Sequence, residues 1–133
     1  MSESQDQETF VEPKGANHYK VFEALHRELN PKNYFEIGTQ KGNTLKLAKC
    51  VSLAVDPKFM ITADVIGSKP ALHAFQVTSD RFFKEYDPTV YLGGPIELAF
   101  LDGMHLFEFL LRDFANTERY CRKNSIIALH DCA

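Results

Sequence analysis

A chain of 133 residues with 44% hydrophobic residues and a formal net charge of −3 makes one domain around one core, and its interspersed acids and bases leave no basic patch for nucleic acid or an anionic membrane. No apolar run approaches the roughly 20 residues that span a bilayer, and no basic stretch precedes an apolar one as in a secretory signal, so the composition reads as soluble and cytoplasmic. The three cysteines, Cys50, Cys121 and Cys132, are odd in number and lack C-x-x-C spacing, which argues for reduced thiols and against a disulfide framework or a zinc site.

Residues 1–16, MSESQDQETFVEPKGA, are polar and acidic with Pro13 and Gly15, the composition of a flexible leader ahead of a domain over 17–133. From His18 to Leu29, Val21, Phe22, Leu25 and Leu29 recur at helical spacing, and Asn30-Pro31 closes that helix. Tyr34–Ile37 reads as a short buried strand, after which come the glycines Gly38 and Gly42. Asn43 is placed to cap a second helix carrying Leu45, Leu47 and Ala48, and VSLAVDP, residues 51–57, is a second strand stopped by Pro57. ALHAFQVT, residues 71–78, alternates as a third strand, and SDRFFKEY, residues 79–86, follows as a helix with a capping serine and with Phe82, Phe83 and Tyr86 at helical spacing. IELAFLDG, residues 96–103, is a fourth, fully apolar strand. LFEFLLRDFANTERYC, residues 106–121, is the longest helical pattern, with Phe107, Leu110, Leu111, Phe114 and Tyr120 on the inward side. SIIALHD, residues 125–131, closes as a fifth buried strand, entered by a turn at Lys123-Asn124 where asparagine takes the left-handed conformation. Strands interleaved with helices predict an α/β fold, a doubly wound Rossmann-like parallel sheet with right-handed crossovers.

In such a sheet ligands bind beyond the carboxyl ends of the strands, where the strand order reverses. The polar residues of this chain gather at those ends: Glu36 to Asn43, then Asp56, then Ser79 and Asp80, then Asp102 to His105, then His130 and Asp131. His18, His26 and His73 fall on element faces away from them and read as surface or packing residues, as Phe107, Phe109, Phe114 and Tyr120 read mostly as core. The turn Gly38-Thr39-Gln40-Lys41-Gly42 lacks the middle glycine of the pyrophosphate-binding G-x-G-x-x-G pattern, which argues against a nicotinamide-dependent oxidoreductase. Asp56 nevertheless sits 18 positions past Gly38 at a strand end, where a carboxylate accepts hydrogen bonds from the ribose of an adenosine. Both facts fit an adenosine ligand without a pyrophosphate.

YFEIGTQKGNT followed by VSLAVDP resembles motifs I and II of the class I S-adenosylmethionine-dependent methyltransferases, and AFLDGMHLFEFLLRDF with SIIALHDC is similar to a subgroup that methylates hydroxyls of small molecules and sugars. The resemblance covers about residues 18–133. It implies S-adenosylmethionine as cofactor, with Gly38 and Gly42 passing close to its methionine part, Glu36 ordering the loop or meeting its amino group, and Asp56 holding the ribose. Thr39 and Asn43 belong to the same turn, Ser79 and Asp80 would lie near the adenine, and Asp102 would face the reacting methyl. Methyl transfer from a sulfonium is an in-line displacement, so the remaining task is to align the acceptor and remove its proton. His105 and His130 are the candidate bases beside Asp102. Asp102 and Asp131 also match the carboxylates that hold magnesium in metal-dependent hydroxyl methyltransferases, although His130 stands where that subgroup offers another acid or an amide. The implied partner is a small-molecule acceptor.

The family's sheets continue with two further strands past the fifth, so the sequence given, which reaches Ala133, reads as C-terminally incomplete, as an edge covered by another subunit, or as a chain that has lost catalysis. An open fifth strand is an edge that another copy of the chain could cover, so a homo-oligomer is one expectation. A cofactor-binding module that acts through a partner without turnover is the alternative to an enzyme.

Overall fold

The computed structural model describes residues 3–4, 6–7, 15–102 and 107–130, with the side chains of the first helix from residue 18 onward. The main sheet has five strands: β1 (Asn33–Ile37), β2 (Val51–Val55), β3 (Leu72–Phe75), β4 (Ile96–Leu101) and β5 (Cys121–Leu129). Its order is β3-β2-β1-β4-β5, and every neighbouring pair is parallel. The order reverses at β1, so the chain winds outward in both directions from the strand that leads into the glycine turn. The helices are α1 (Gly15–Leu29), α2 (Ser79–Glu85), α3 (Pro88–Leu92) and α4 (Phe107–Glu118). Apart from the sheet, the short strands Glu3–Ser4 and Asp6–Gln7 pair with each other.

Period-two alternation along the strands sorts the apolar residues into two cores. Phe35, Ile37, Leu53, Val55, Ala99 and Leu101 face α2, α3 and α4, meeting Phe82, Leu92 and Leu110. Tyr34, Ala54, Leu98 and Phe100 face α1 and the β1–β2 crossover, meeting Phe22, Leu45 and Ala48. Covering on both sides explains why all five residues of β1 are buried. Burying a side chain such as Phe35 or Leu53 completely contributes about 1.5–3 kcal/mol.

Several elements differ from the sequence reading. The segment after Asn43 forms only the 3-10 turn Leu45–Leu47, without a side-chain cap. Its bonds are Leu47 to the Thr44 carbonyl and Ala48 to the Leu45 carbonyl, and Ala48 is already extended, so the turn ends before a second helical turn forms. Helix α2 is capped by Thr78, whose hydroxyl accepts from the Arg81 amide, while Ser79 donates to Asp113 instead. Helix α4 buries Leu110, Asp113 and Thr117, whereas Phe107 and Leu111 are 71% and 50% exposed. The bond from Ser79 draws Asp113 inward and rotates the buried stripe away from Leu111.

The fifth strand begins at Cys121, not at Ser125, and Lys123-Asn124 lies within it. Its register against β4 shifts between Ile96 and Leu98, and the Ser125 hydroxyl bridges the irregularity by accepting from Arg122 and donating to the Ile96 carbonyl. Asn124 is not left-handed: among the described residues, Asn30 and Gln40 are the non-glycine positions at positive φ. The short helix α3 was not foreseen from the sequence, although its marks are present in Asp87 as cap, Pro88 in the first turn and left-handed Gly93 after the end.

Candidate functional site

The ladder hydrogen bonds of the sheet run one residue past the strand ends. Asp56 donates its amide to Phe75, Gly38 to Val55, Asp102 to Ile37 and His130 to Leu101, at 2.8–3.2 Å. These bonds align Asp56, Gly38, Asp102 and His130 in a row along the carboxyl edge, in strand order, at the strand spacing of about 4.8 Å. Residues that are 92 positions apart in sequence at the extremes thus share one rim.

Gly38 and Gly42 have φ of 87° and 89°, and Gln40 between them has 51°, so the turn is left-handed at three points. A β-carbon on Gly42 would stand 2.5 Å from Val65 Cγ1, so this position needs glycine for space as well as for φ. Asp56, 5% exposed, holds the turn: one carboxylate oxygen accepts from the Gln40 amide and the other from the Lys58 amide, both at 2.8 Å. Each oxygen keeps acceptor capacity for a ligand hydroxyl. Thr39 is buried in the turn and Asn43 half-buried just after it.

Glu36 lies beneath this turn and is completely buried. The Tyr34 hydroxyl donates to Oε1, whereas Oε2 and the neighbouring Thr39 hydroxyl are buried without a partner in hydrogen-bond geometry. Burial pushes the Glu36 carboxyl up to about 7, against the lowering effects of the Tyr34 and Thr39 hydroxyls and with a further raising effect of Asp102. A carboxyl poised near neutrality with an orphaned oxygen suits a cationic group placed against the turn, since such a partner satisfies the oxygen and draws the carboxyl into its charged form.

On the other side of the row, Asp102 Oδ1 stands 3.3 Å from His130 Nδ1. His18, at the amino end of α1, packs its ring edge-on against His130 with centroids 5.1 Å apart and against Phe100 at 5.5 Å. The sequence reading placed His18 away from the site; α1 runs back across the sheet and delivers its first turn to the carboxyl edge. His105 and Asp131 lie outside the described residues. Among the described residues no group of three or more metal-ligating side chains comes together.

A third part of the rim is a cavity of about 150 Å3 lined by Ile37, Val55, Pro57, Thr78, Ser79, Asp80 and Phe109. It is largely apolar and of a size that holds one aromatic ring. Asp80, at its mouth, is exposed and paired with Arg112 at 2.6 Å, and Arg112 also lies over the Phe109 ring at 4.9 Å. Ser79 is tied to the buried Asp113, whose carboxyl is raised by burial. Phe109, taken from sequence as core, thus contributes to the cavity wall.

An open parallel α/β sheet with a left-handed glycine turn at the strand-order reversal defines a Rossmann-like α/β fold. A family model described as a methyltransferase domain matches residues 35–132, so the chain belongs to that methyltransferase family. No curated protein matches the sequence significantly. Among the described residues no helix is long and apolar enough to cross a membrane.

Proposed function

We propose that this methyltransferase uses S-adenosylmethionine and methylates a hydroxyl of a small molecule. The observation that carries the cofactor assignment is Glu36, a fully buried carboxyl with an orphaned oxygen directly beneath a turn of positive-φ residues. An amino acid ammonium against that turn supplies the missing partner. Asp56 then offers its remaining acceptor capacity to the ribose hydroxyls while it keeps the Gln40 and Lys58 amides in place. The cavity between Ile37, Val55 and Phe109 takes the adenine ring, with Ser79 and Asp80 at its edge.

The cofactor, when bound, supplies an electrophilic methyl group. The chain supplies alignment and a proton acceptor. Asp102 beside Nδ1 favours the His130 tautomer in which Nε2 is the base, so a hydroxyl brought to that imidazole would give its proton to Nε2. Asp102 is therefore engaged with an imidazole. A hydroxyl acceptor fits a histidine base, since deprotonation during attack is what an alcohol needs.

Calorimetric titration with S-adenosylhomocysteine, with NAD as control, tests the cofactor assignment. Micromolar binding of the first and no heat from the second is the expected result. Absence of binding to S-adenosylhomocysteine, or equal binding of NAD, overturns it.

A further inference from the structure

A second cavity lies at the opposite end of the sheet. It encloses about 720 Å3 between the carboxyl end of α1, the 3-10 turn Leu45–Leu47 and the loop before β3. It exists because the β1–β2 crossover is a turn and not a helix, which leaves one flank of α1 uncovered. Its volume lies within the usual range of small-ligand sites.

The charge around this cavity is unbalanced. Arg27, Lys46 and Lys49 line it against Glu23 and Asp64, and the Asp64 Oδ1 atom is already engaged by the Ile66 and Gly67 amides. Neither lysine has a carboxylate within 4 Å among the described residues. Behind the wall, Lys69 is only 7% exposed, and its ammonium donates to the Leu45 carbonyl at 2.8 Å without an ion pair among the described residues. Glu36 and Asp64 offset this charge only at a distance, without an ion pair among the described residues.

His26, on the α1 side, has its Nε2 buried without a hydrogen-bond partner. Its ring is held edge-on between Phe22 and Tyr34, each with centroids 5.1 Å away. Burial, and then the charge of Lys69, lower its pKa to about 4, so the imidazole is neutral and can donate or accept one hydrogen bond. At the helix end the Asn30 amide, in left-handed conformation, takes up the His26 carbonyl at 2.9 Å, and the basic residues His26 and Arg27 stand in the last turn.

We propose that this cavity is a second ligand site, for a small anion bearing a phosphate or carboxylate group, with Lys46 and Lys49 meeting its charge and His26 Nε2 meeting one of its oxygens. The site is separate from the glycine turn and does not depend on the cofactor assignment. Phosphate and carboxylate share the chemistry recognised here, a compact charge with several acceptor oxygens.

The test is a nuclear magnetic resonance titration of the 15N-labelled full chain with inorganic phosphate and, separately, with citrate, at ionic strength held constant by chloride. Saturable shifts at the amides of His26, Arg27 and Lys46 to Cys50 are expected, with affinity at least about tenfold weaker in the Lys46→Ala, Lys49→Ala double variant. Both lysines are exposed, so the variant keeps its fold. Saturation by one anion and not the other retains the site and assigns the group. Linear shifts equal to those of chloride for both anions, or unchanged affinity in the double variant, overturn the proposal.

Discussion

The two ends of the sheet carry opposite electrostatic designs on the same scaffold. At the carboxyl end a buried acid, Glu36, is raised to about 7 and waits under a rigid turn; at the amino end a half-buried base, His26, is lowered to about 4 beside unpaired cations. Tyr34 stands between them, its hydroxyl on Glu36 and its ring against His26. Burial moves each group toward its uncharged form, so that His26 is neutral at pH 7 while Glu36 stands at the midpoint of its titration and is drawn into its charged form by a cationic partner. The comparison shows how one strand, β1, can lead to a cation-seeking pocket at one end and flank an anion-seeking one at the other.

The largest effect expected at the carboxyl end is on turnover. Asp102→Asn leaves S-adenosylhomocysteine affinity in place and lowers methyl transfer to an accepted hydroxyl by at least about a hundredfold, because His130 loses the group that fixes its tautomer. Assay with methyl-labelled S-adenosylmethionine against a panel of sugar and phenol hydroxyls reads this out, and full activity in the variant removes Asp102 from the mechanism.

Glu36→Gln comes next and separates the two ends by pH. The folded pKa of Glu36 lies above its unfolded value, so its contribution is fully present below about 4.5 and lost as pH rises through about 7. Gln mimics the protonated acid, so the variant matches the wild type near pH 4 and exceeds it by about 3 kcal/mol at pH 8 in denaturant unfolding, while binding S-adenosylhomocysteine more weakly. Equal stability at pH 8 would show that burial does not raise this carboxyl's pKa.

Gly42→Ala tests the turn itself. With φ at 89° and Val65 Cγ1 in the way of a β-carbon, it is expected to cost about 2 kcal/mol of stability, measured by thermal or urea unfolding. An unaffected variant would show that the loop around Val65 yields freely.

At the amino end the effect is smaller and of opposite sign. His26→Phe keeps the ring between Phe22 and Tyr34 but removes the orphaned nitrogen, so stability at pH 7 rises by about 1 kcal/mol. The wild-type histidine, with its folded pKa below its unfolded value, contributes stability above about 6.5 that is lost as pH falls through about 4. The variant therefore loses less stability over that interval. A steeper acid loss in the variant would contradict the assignment of His26 as a buried neutral base.

Much of the carboxyl end was legible in the chain. Gly38, Gly42 and Asp56 announce themselves because turn chemistry is local: positive φ needs glycine, and a strand that stops at Asp-Pro leaves its acid at the rim. The strand reading failed in length at β3, where residues 76–78 turn away to cap α2, and in burial at β5, which was read as buried but is an edge strand with no fully buried residue. Almost nothing of the amino end was legible. His26 looked like one more residue on a helix, and Lys46 and Lys49 like ordinary surface charges, because the cavity between them depends on a crossover that failed to become a helix.

The sequence by itself determined the alternation of strands and helices, the parallel sheet and the location of the polar residues at strand ends, since hydrophobic period and turn residues act within a few positions of one another. The tertiary structure alone decided the raised pKa of Glu36, the meeting of His18 with His130, the inward turn of Asp113 and the cavity beneath α1. Those features arise where side chains distant in sequence compete for the same volume and the same hydrogen bonds, and that competition is settled only when the elements pack.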